Sequence, residues 1–526
     1  MERLRKRFNI AGTCFPNKHY MVDLTERLNE IKVLIDNGDY FVINRARQYG
    51  KTTTLRALKE YLQPDYSVVS MSFQRMSATV FQNEYTFVSA FAEAFYKKIQ
   101  QEITTFTFTV EQLTDLEKIG SQVTGQYDLM ALFDCLGKLC QISQKKMILI
   151  IDEVDQAANN QVFLDFLGQL RDMYLEREDV ATFHSVILAG VYDIKNLKQK
   201  IRPDDTHKYN SPWNIAVPFD VDMSFSIEDI ADMLACYEEE HQCGMNILEI
   251  ATAIYEYTSG YPFLVSYLCK TLDEDKGQWN LQILQMVVKE MLQGTNTLFD
   301  DIIKNLEHYP GFRQLVEGIL LQGMEFSFVL ANPDISMGAM FGILKNVNGR
   351  VQISNRIFEM YIYEYMISVN RTQNIRFGSY TDKGQYIHEG KLDMEHVIRR
   401  FSAFLKAEYR KEDGDYIEQQ GRLLFLCFLR PIINGTGHYA VEAETRQNAR
   451  MDIQVFYGSE EFIVELKIWH GLKYEEKGYD QLTDYLDARE VEKGYVISFC
   501  RNQKKPLEDR KFVHNGHVIC ETVVMY

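Results

Sequence analysis

Residues 40–55, YFVINRARQYGKTTTL, place a short apolar strand before a loop that ends in Gly-Lys-Thr and runs into a helix. Backbone N–H groups at the start of such a helix attract phosphate oxygens. Lys51 can reach the β- and γ-phosphates of a nucleotide, and the Thr52 hydroxyl can bind Mg²⁺. Together with Gly50 and Thr53, these two residues form the predicted ATP-binding loop.

The usual pattern of this loop, GxxxxGK[ST], begins with a glycine, and Arg45 stands at that position. The tight turn must therefore form without glycine. A Gly-Lys-Thr tripeptide alone is a weak signal, because an ordinary turn followed by a threonine N-cap contains the same residues. The prediction of a nucleotide site therefore depends on a second element.

That second element is residues 147–153, MILIIDE, an apolar strand followed by two acids. Such a strand has to be buried, and carboxylates at its carboxyl end are suited to hold Mg²⁺ and to orient the attacking water. We predict that Asp152 serves the metal and that Glu153 serves the water. A strand that simply ends in a charged loop is a common explanation for such a stretch alone, but it is the minority explanation once Gly-Lys-Thr is present at a plausible distance upstream.

Short apolar strands alternate with longer helical stretches between residues 38 and 195. The strands are expected at residues 40–43, 67–71, 147–151 and 185–189. This alternation predicts a parallel sheet covered by helices. After residue 226 helical periodicity replaces the strands. We therefore expect an α/β P-loop ATPase core at residues 1–225 and a helical lid at residues 226–300.

The rest of the chain divides by composition. The dipeptide Asn348-Gly349 between two short apolar runs indicates a hairpin, which is compatible with a winged helix over residues 301–370. Residues 371–392 are polar and are expected to be a linker. Residues 393–526 form the last predicted domain.

Charge and composition exclude some classes of protein. The 526 residues carry a net charge of −17, which argues against a general basic surface that coats nucleic acid, although a local basic groove in the near-neutral last part remains compatible. The nine cysteines include no CxxC pair, so neither a disulfide scaffold nor a zinc site is indicated. No apolar run reaches the ~18 residues that a bilayer requires, and we expect a cytoplasmic protein without membrane contact.

Residues 8–290 resemble the AAA-ATPase-like family of bacteria and archaea, which is close to the STAND-type signal-transduction NTPases. The stretches that carry the resemblance are 12–16 (GTCFP), 19–23 (HYMVD), 47–52 (RQYGKT), 152–155 (DEVD), 190–193 (GVYD) and 259–263 (SGYPF). The resemblance implies that Asp23 contacts the base and that Asp193 senses the γ-phosphate. It also implies that Gly260 and Pro262 contact the nucleotide. A helix cap, a turn and a helix start would explain these residues without a ligand.

A hairpin is predicted near the C-terminus, where Gly458-Ser459 separates two strand patterns. If Tyr457 pairs with Glu460, then Asp452 lies directly opposite Glu465. Lys467 shares that face because side chains alternate along a strand. Two carboxylates and a lysine on one face suit a hydrolytic Mg²⁺ site, whereas an amphipathic hairpin with a charged solvent face is the simpler alternative.

The stretches 450–452 (RMD), 464–467 (VELK) and 481–485 (QLTDY) resemble the PD-(D/E)xK nuclease superfamily, whose core is a helix, three antiparallel strands, a helix and a further strand. The resemblance covers roughly residues 393–526 and implies a restriction-endonuclease-like domain. Its implied catalytic residues are Asp452, Glu465, Lys467 and Gln481, with Tyr485 one helical turn after Gln481. The usual proline before the aspartate is replaced by Met451.

The resemblance also implies a further metal-binding carboxylate. Glu418 is the candidate beside the metal ligands Asp452 and Glu465, and Glu442 or Glu444 is the alternative. Mg²⁺ is the expected metal, and Mn²⁺ can substitute.

We therefore predict an ATP-hydrolysing protein with a Mg²⁺-dependent nuclease domain that cleaves DNA, with a role in defence against foreign DNA. Homo-oligomers are compatible with the first domain. Two other hypotheses remain open. One is an ATP-gated switch that binds nucleic acid without cleavage, and the other is a signalling scaffold in which Arg45 weakens hydrolysis.

Overall fold

The computed structural model describes residues 5–101, 108–122, 125–157, 160–191, 213–276, 278–322, 324–373, 381, 383–408, 414–433, 436–441, 453–468, 472–500 and 509–525. The chain forms two compact units. The first comprises Met1–Met291 with Met337–Ile343, and the second comprises Leu292–Ser336 with Leu344–Tyr526. No helix among the described residues is long and apolar enough to cross a membrane.

The first unit opens with a parallel α/β layer. Its elements are α1 (Thr25–Asp36), β1 (Phe41–Asn44), α2 (Lys51–Leu62), β2 (Ser67–Ser72), α3 (Glu84–Gln101), α4 (Val110–Gly120), α5 (Leu129–Ile142), β3 (Met147–Asp152), α6 (Gln161–Leu175) and β4 (Ser185–Gly190). The four strands are parallel in the order β1-β4-β3-β2. On the open side of β1, Val217 donates its backbone N–H to the Tyr40 carbonyl at 2.9 Å. The predicted strands and their parallel arrangement are thereby confirmed.

Helices cover both faces of this sheet, which explains why its strands are apolar without alternation. Residues such as Ile148 and Ile150 pack on the side of α1 and α2. Their neighbours Leu149 and Ile151 pack on the other side, in the core built with α3 to α6. The sheet is therefore buried, and the charged residue of these four strands, Asp152, stands at a strand end.

Helices replace strands in the next part, as predicted. They are α7 (Ile227–His241), α8 (Ile247–Thr258), α9 (Pro262–Thr271) and α10 (Leu281–Gln293). Ser226 begins α7 with a capping box, since its hydroxyl accepts from the Asp229 N–H and the Asp229 carboxylate accepts from the Ser226 N–H. Pro262 stands in the first turn of α9, where its missing N–H leaves no bond unmade.

The second unit begins with α11 (Thr297–His308), α12 (Pro310–Gln322), α13 (Pro333–Met340, whose end belongs to the first unit), β5 (Leu344–Val347), β6 (Arg350–Ile353) and α14 (Arg356–Gln373). β5 and β6 pair antiparallel around Asn348-Gly349, both with positive φ. The hairpin is confirmed, and the winged helix stays a prediction.

The segment predicted as a linker, residues 371–392, needs a correction. Its first residues still belong to α14, and β7 (Ile387–His388) and β8 (Lys391–Leu392) form a short antiparallel pair at its end. Tyr386 is fully buried. The polar composition concealed this local structure, so the described part is not an extended connection.

The last part is a six-stranded mixed sheet. Its elements are α15 (Met394–Glu408), α16 (Gly414–Ile433), β9 (Gly437–Ala440), β10 (Ile453–Tyr457), β11 (Glu460–Ile468), α17 (Leu472–Ala488), β12 (Lys493–Cys500), β13 (Arg510–His514) and β14 (His517–Met525). The strand order is β13-β14-β12-β11-β10-β9. β9, β10 and β11 are antiparallel, and β12 is parallel to β11. A helix, three antiparallel strands, a helix and a strand thus follow one another as expected.

The hairpin register is confirmed where the structure describes it. Tyr457 pairs with Glu460, Phe456 with Glu461 and Gln454 with Ile463. The helix predicted at residues 480–489 begins earlier, at Leu472, because the charged residues before Asp480 continue the helix toward the N-terminus. The strands β13 and β14 had no counterpart in the sequence prediction.

Candidate functional sites

The loop before α2 surrounds the Lys51 side chain. Lys51 is only 8% exposed, and its Nζ donates to the carbonyl oxygens of Arg45 at 2.8 Å and Ala46 at 2.9 Å. Burial lowers the pKa of its ammonium, and three neighbouring carboxylates partly offset that effect. The loop therefore fixes the ammonium with its own carbonyls, which phosphate oxygens can replace as acceptors.

Two side-chain oxygens that could bind a metal ion meet between α2 and the end of β3. Thr52 Oγ1 donates to Asp152 Oδ2 at 2.9 Å, and the backbone N–H of Glu153 donates to Asp152 Oδ1 at the same distance. A hydroxyl and a carboxylate are hard oxygen ligands of the kind that Mg²⁺ takes in nucleotide sites. The donor set fits Mg²⁺, with Thr52 and Asp152 as the residues that would hold it.

Glu153 follows in a conformation that L-residues rarely adopt. Its φ of +56° lies in the left-handed region, which costs free energy and is most frequent at functional sites. Burial, followed by the neighbouring Asp152 carboxylate, raises the pKa of Glu153. A carboxylate with a raised pKa is a better proton acceptor than an ordinary one, because its basicity is closer to the working pH.

Arg45 explains how the loop begins without its usual glycine. Its Nη2 donates to the carbonyl oxygens of Phe219 at 3.1 Å and Val221 at 2.9 Å, and its guanidinium lies 5.1 Å from the centre of the Phe219 ring. The side chain thus fastens the start of the loop to the segment around residue 220. The sharp turn is made by Gln48 and Gly50, both with positive φ.

Gly50 and Thr53 complete the predicted loop. Gly50 is the left-handed N-cap of α2, and a Cβ there would meet no other atom. The positive φ at position 50 favours glycine, although a side chain there would meet no other atom within 4 Å. The Thr53 hydroxyl accepts from the Cys14 N–H at 3.1 Å, so Thr53 bonds the preceding N-terminal segment to α2.

The residues named by family resemblance have structural roles of their own. Asp23 accepts from the Thr25 N–H at 2.9 Å and from its hydroxyl at 2.6 Å, at the start of α1. Gly260 has a φ of +71°, and a Cβ on it would lie 1.9 Å from the Phe225 carbonyl oxygen. Asp193 lies outside the described residues.

Sequence reasoning missed two residues that join separate parts of the site. Asp155 Oδ2 accepts from the Val191 N–H at 2.7 Å, which ties the end of β3 to the end of β4. Tyr261 donates its hydroxyl to the Arg47 carbonyl at 2.6 Å, which ties the loop to the helical part. Both are polar residues within the stretches 152–155 and 259–263, and no spacing rule separates them from the polar residues around them.

The second candidate site lies where β11 faces α17. A Cβ on Gly478 would lie 2.8 Å from Lys467 Nζ and 3.4 Å from Glu465 Oε1, so both side-chain ends converge on the same point of α17. Lys467 Nζ also lies 4.0 Å from the centre of the Tyr479 ring. The structure thus brings Glu465 and Lys467 together and leaves room for them with a glycine.

The other predicted residues of this site are only partly described. Gln481 is half-buried and Tyr485 is buried, and both follow Gly478 at helical spacing on one face of α17. Glu418 lies within α16, but its side chain is outside the description. The three remaining candidates, Asp452, Glu442 and Glu444, lie outside the described residues. Over the described part of the chain, no group of three or more His, Cys, Asp or Glu side chains could hold a metal ion.

Comparison with known proteins matches the first part of the chain. A family model described as an AAA-like domain matches residues 18–364. No curated protein matches the sequence.

The structure is also similar to several solved structures. One is the Walker-type ATPase of Pyrococcus abyssi, with 12% identity, a TM-score of 0.48, and coverage of 68% of this chain and 99% of that one. The ORC1 protein of Aeropyrum pernix in complex with DNA has 13% identity, a TM-score of 0.28, and coverage of 65% and 93%. The ORC2 protein of Aeropyrum pernix in ADPNP–ADP complexes has 11% identity, a TM-score of 0.32, and coverage of 68% and 96%.

Proposed function

The chain belongs to the AAA-like domain family, and from this premise we propose that it binds ATP with Mg²⁺ and hydrolyses the γ-phosphate. Lys51 neutralises the β- and γ-phosphates, and backbone N–H groups at the start of α2 receive their oxygens. Thr52 and Asp152 would hold the metal, which would supply positive charge beside the phosphates. Glu153 orients the attacking water and accepts its proton.

The observation that carries this proposal is the contact between Thr52 Oγ1 and Asp152 Oδ2 at 2.9 Å. It joins residues from two distant stretches of sequence into one pair of oxygen donors beside Lys51. The alternative explanations, a threonine N-cap and a charged strand end, predict no such meeting. Phosphate release from ATP by the purified chain tests it. We expect turnover with Mg²⁺ and none with excess EDTA. Equal turnover with and without the metal would contradict the assignment.

For the second unit we propose a Mg²⁺-dependent phosphodiesterase site that cleaves nucleic acid, with DNA as the expected substrate. Glu465 and Asp452 would bind the metal together. Lys467 would polarise the phosphate that is attacked or the water that attacks it. Gln481 on α17 contacts the substrate. The supporting observation is the convergence of Glu465 and Lys467 on Gly478, because an amphipathic hairpin with a solvent face would not direct both toward a covering helix.

Incubation with plasmid, linear duplex and single-stranded DNA tests the second proposal. Each substrate is combined with Mg²⁺, Mn²⁺ or EDTA, with and without ATP. We expect metal-dependent cleavage of at least one substrate. Binding without cleavage under every condition would favour an ATP-gated binding switch, and a role in defence against foreign DNA would then lose its chemical basis.

A further inference from the structure

A buried carboxylate lies on the same sheet face as the second site. Glu521 of β14 is 1% exposed, yet it accepts hydrogen bonds from three donors. Ser498 Oγ donates to its Oε1, and Tyr479 OH and Arg510 Nε donate to its Oε2 at 2.8 and 2.7 Å. A buried charge is costly unless it is paired and hydrogen-bonded. These contacts meet that condition for Glu521.

The same network fixes one tyrosine hydroxyl from two sides. Tyr479 OH donates to Glu521 and accepts from Arg510 Nη2 at 2.8 Å. The rings of Phe512 and His514 are steeply inclined to its ring, with ring centres 5.0 and 5.8 Å away. Tyr479 itself is 6% exposed. The hydroxyl contacts and these two rings therefore fix the tyrosine, and a further partner lies over its ring.

That partner is Lys467, whose Nζ lies 4.0 Å from the ring centre. A desolvated ammonium on an aromatic face is stabilised by the negative charge of the ring face. The strand register places the network beside the site, since Lys467 pairs with Ser498, while Glu465 and Glu521 both pair with Val496. Paired residues of parallel strands point to the same face. The ammonium of Lys467 thus lies over the ring of Tyr479, and the carboxylate of Glu521 accepts the hydrogen bond of its hydroxyl.

We propose that Tyr479 is a positioning residue that fixes the ammonium of Lys467, and that the Glu521–Arg510–Ser498 network holds Tyr479 in place. A free lysine side chain has many rotamers, and a displacement of about 1 Å at a reacting group can lower a rate ~100-fold. A tyrosine ring that is fixed at its hydroxyl restricts the rotamers of the lysine above it. The cation–π contact itself uses none of the N–H groups of the ammonium. The consequence for cleavage rests on the proposed nuclease function, whereas the contact itself does not.

The contact is tested by NMR on the full chain labelled with ¹³C at lysine Cε. Lys467→Arg assigns the Lys467 signal. We expect this signal to be shifted upfield by the Tyr479 ring in the unaltered chain and to be less shifted in Tyr479→Phe, whose ring lacks the hydroxyl that Glu521 and Arg510 hold. The shift should be lost in Tyr479→Met, which fills the space without a ring. A Lys467 signal that does not move in Tyr479→Met would overturn the proposal.

The sheet offers a matched control. Lys493 Nζ lies 5.1 Å from the Tyr495 ring, outside the Glu465–Lys467 face. Tyr495→Met should move the Lys493 signal and leave that of Lys467 unchanged. If both substitutions moved the Lys467 signal equally, the effect would be a general loosening of the sheet, and the proposal would fail.

Cleavage kinetics test the consequence of the contact. With the DNA substrate that the unaltered chain cuts, we expect Tyr479→Met to lower kcat about 30-fold with little change in KM. Tyr479→Phe should lower kcat less, because the ring is kept and only its hydroxyl contacts are lost. In a Lys467→Ala background Tyr479→Met should cause no further loss, because it acts through Lys467. An additive loss would overturn the positioning role. A ring-shifted Lys467 in a chain that cuts no nucleic acid would support the contact and overturn the nuclease proposal alone.

Discussion

The two candidate sites are built in different ways. In the first unit, Lys51 and Thr52 are adjacent in sequence, as are Asp152 and Glu153, and each pair stands where a strand meets a helix or a loop. In the second unit, Glu465 and Lys467 alternate along one strand and are completed by a helix that covers them. The first site therefore follows from local backbone structure, and the second depends on strand register and helix packing.

The largest expected effect concerns the second site. Glu465→Ala should lower DNA cleavage by about 1,000-fold and weaken Mn²⁺ binding, because it removes a metal ligand. Lys467→Ala should lower cleavage similarly while Mn²⁺ binding, measured by calorimetry, is retained. Glu461→Ala, on the same strand and face, is the control and should leave both unchanged. Full cleavage by Glu465→Ala would remove this residue from the site.

At the first site, Lys51→Ala should weaken ATP binding by about 100-fold, or ~3 kcal/mol, because it deletes the ammonium that the loop holds in place. Fluorescent nucleotide titration measures the affinity. Lys59→Ala in the last turn of the same helix is the control and should bind ATP normally. Equal affinities of the two variants would mean that Lys51 only bonds the loop carbonyls.

The sequence predicted the first site better than the second for physical reasons. A loop and a helix start are specified by consecutive residues, so Lys51 and Thr52 could be placed from the motif alone. The meeting of Thr52 with Asp152 also followed, because strand ends of a parallel sheet share one edge. Asp155 and Tyr261 could not be found in this way, since each contacts a backbone group, which every residue provides and no motif marks.

In the second unit the sequence predicted the register of β10 and β11, because a two-residue turn fixes strand pairing. It could not predict that α17 covers the face of Glu465 and Lys467. The buried Glu521 was also missed, since a lone glutamate in an apolar strand has no pattern that reveals its partners. Both depend on which helix packs on which face of the sheet.

Gly260 and Gly478 are expected to differ, because the first is needed for folding and the second for the shape of the nuclease-like site. Gly260→Ala should destabilise the first unit by about 3 kcal/mol, since its Cβ would overlap the Phe225 carbonyl at a positive φ. In Gly478→Ala the new Cβ overlaps only the end of the Lys467 side chain and touches Glu465 Oε1, so it should cost about 1 kcal/mol or less, yet lower cleavage about tenfold. Thermal unfolding and cleavage assays measure the two effects. Equal destabilisation by both would show that Gly478 serves packing alone.

The smallest effect is expected at Arg45. Arg45→Gly restores the common loop pattern but removes two hydrogen bonds to backbone carbonyls, which should cost about 1–2 kcal/mol of stability. ATP turnover should stay within about twofold, because the guanidinium is bonded to the segment around residue 220. A large gain in turnover would instead support the signalling-scaffold hypothesis, in which Arg45 weakens hydrolysis.

The most direct test of the central claim is ATP binding and turnover measured side by side for Glu153→Gln. The amide keeps the shape of the side chain and the bond from its backbone N–H to Asp152, but it cannot accept a proton. We expect unchanged ATP affinity and a turnover about 1,000-fold lower than that of the unaltered chain. Turnover equal to that of the unaltered chain would contradict the assignment of Glu153 and of the site built around it.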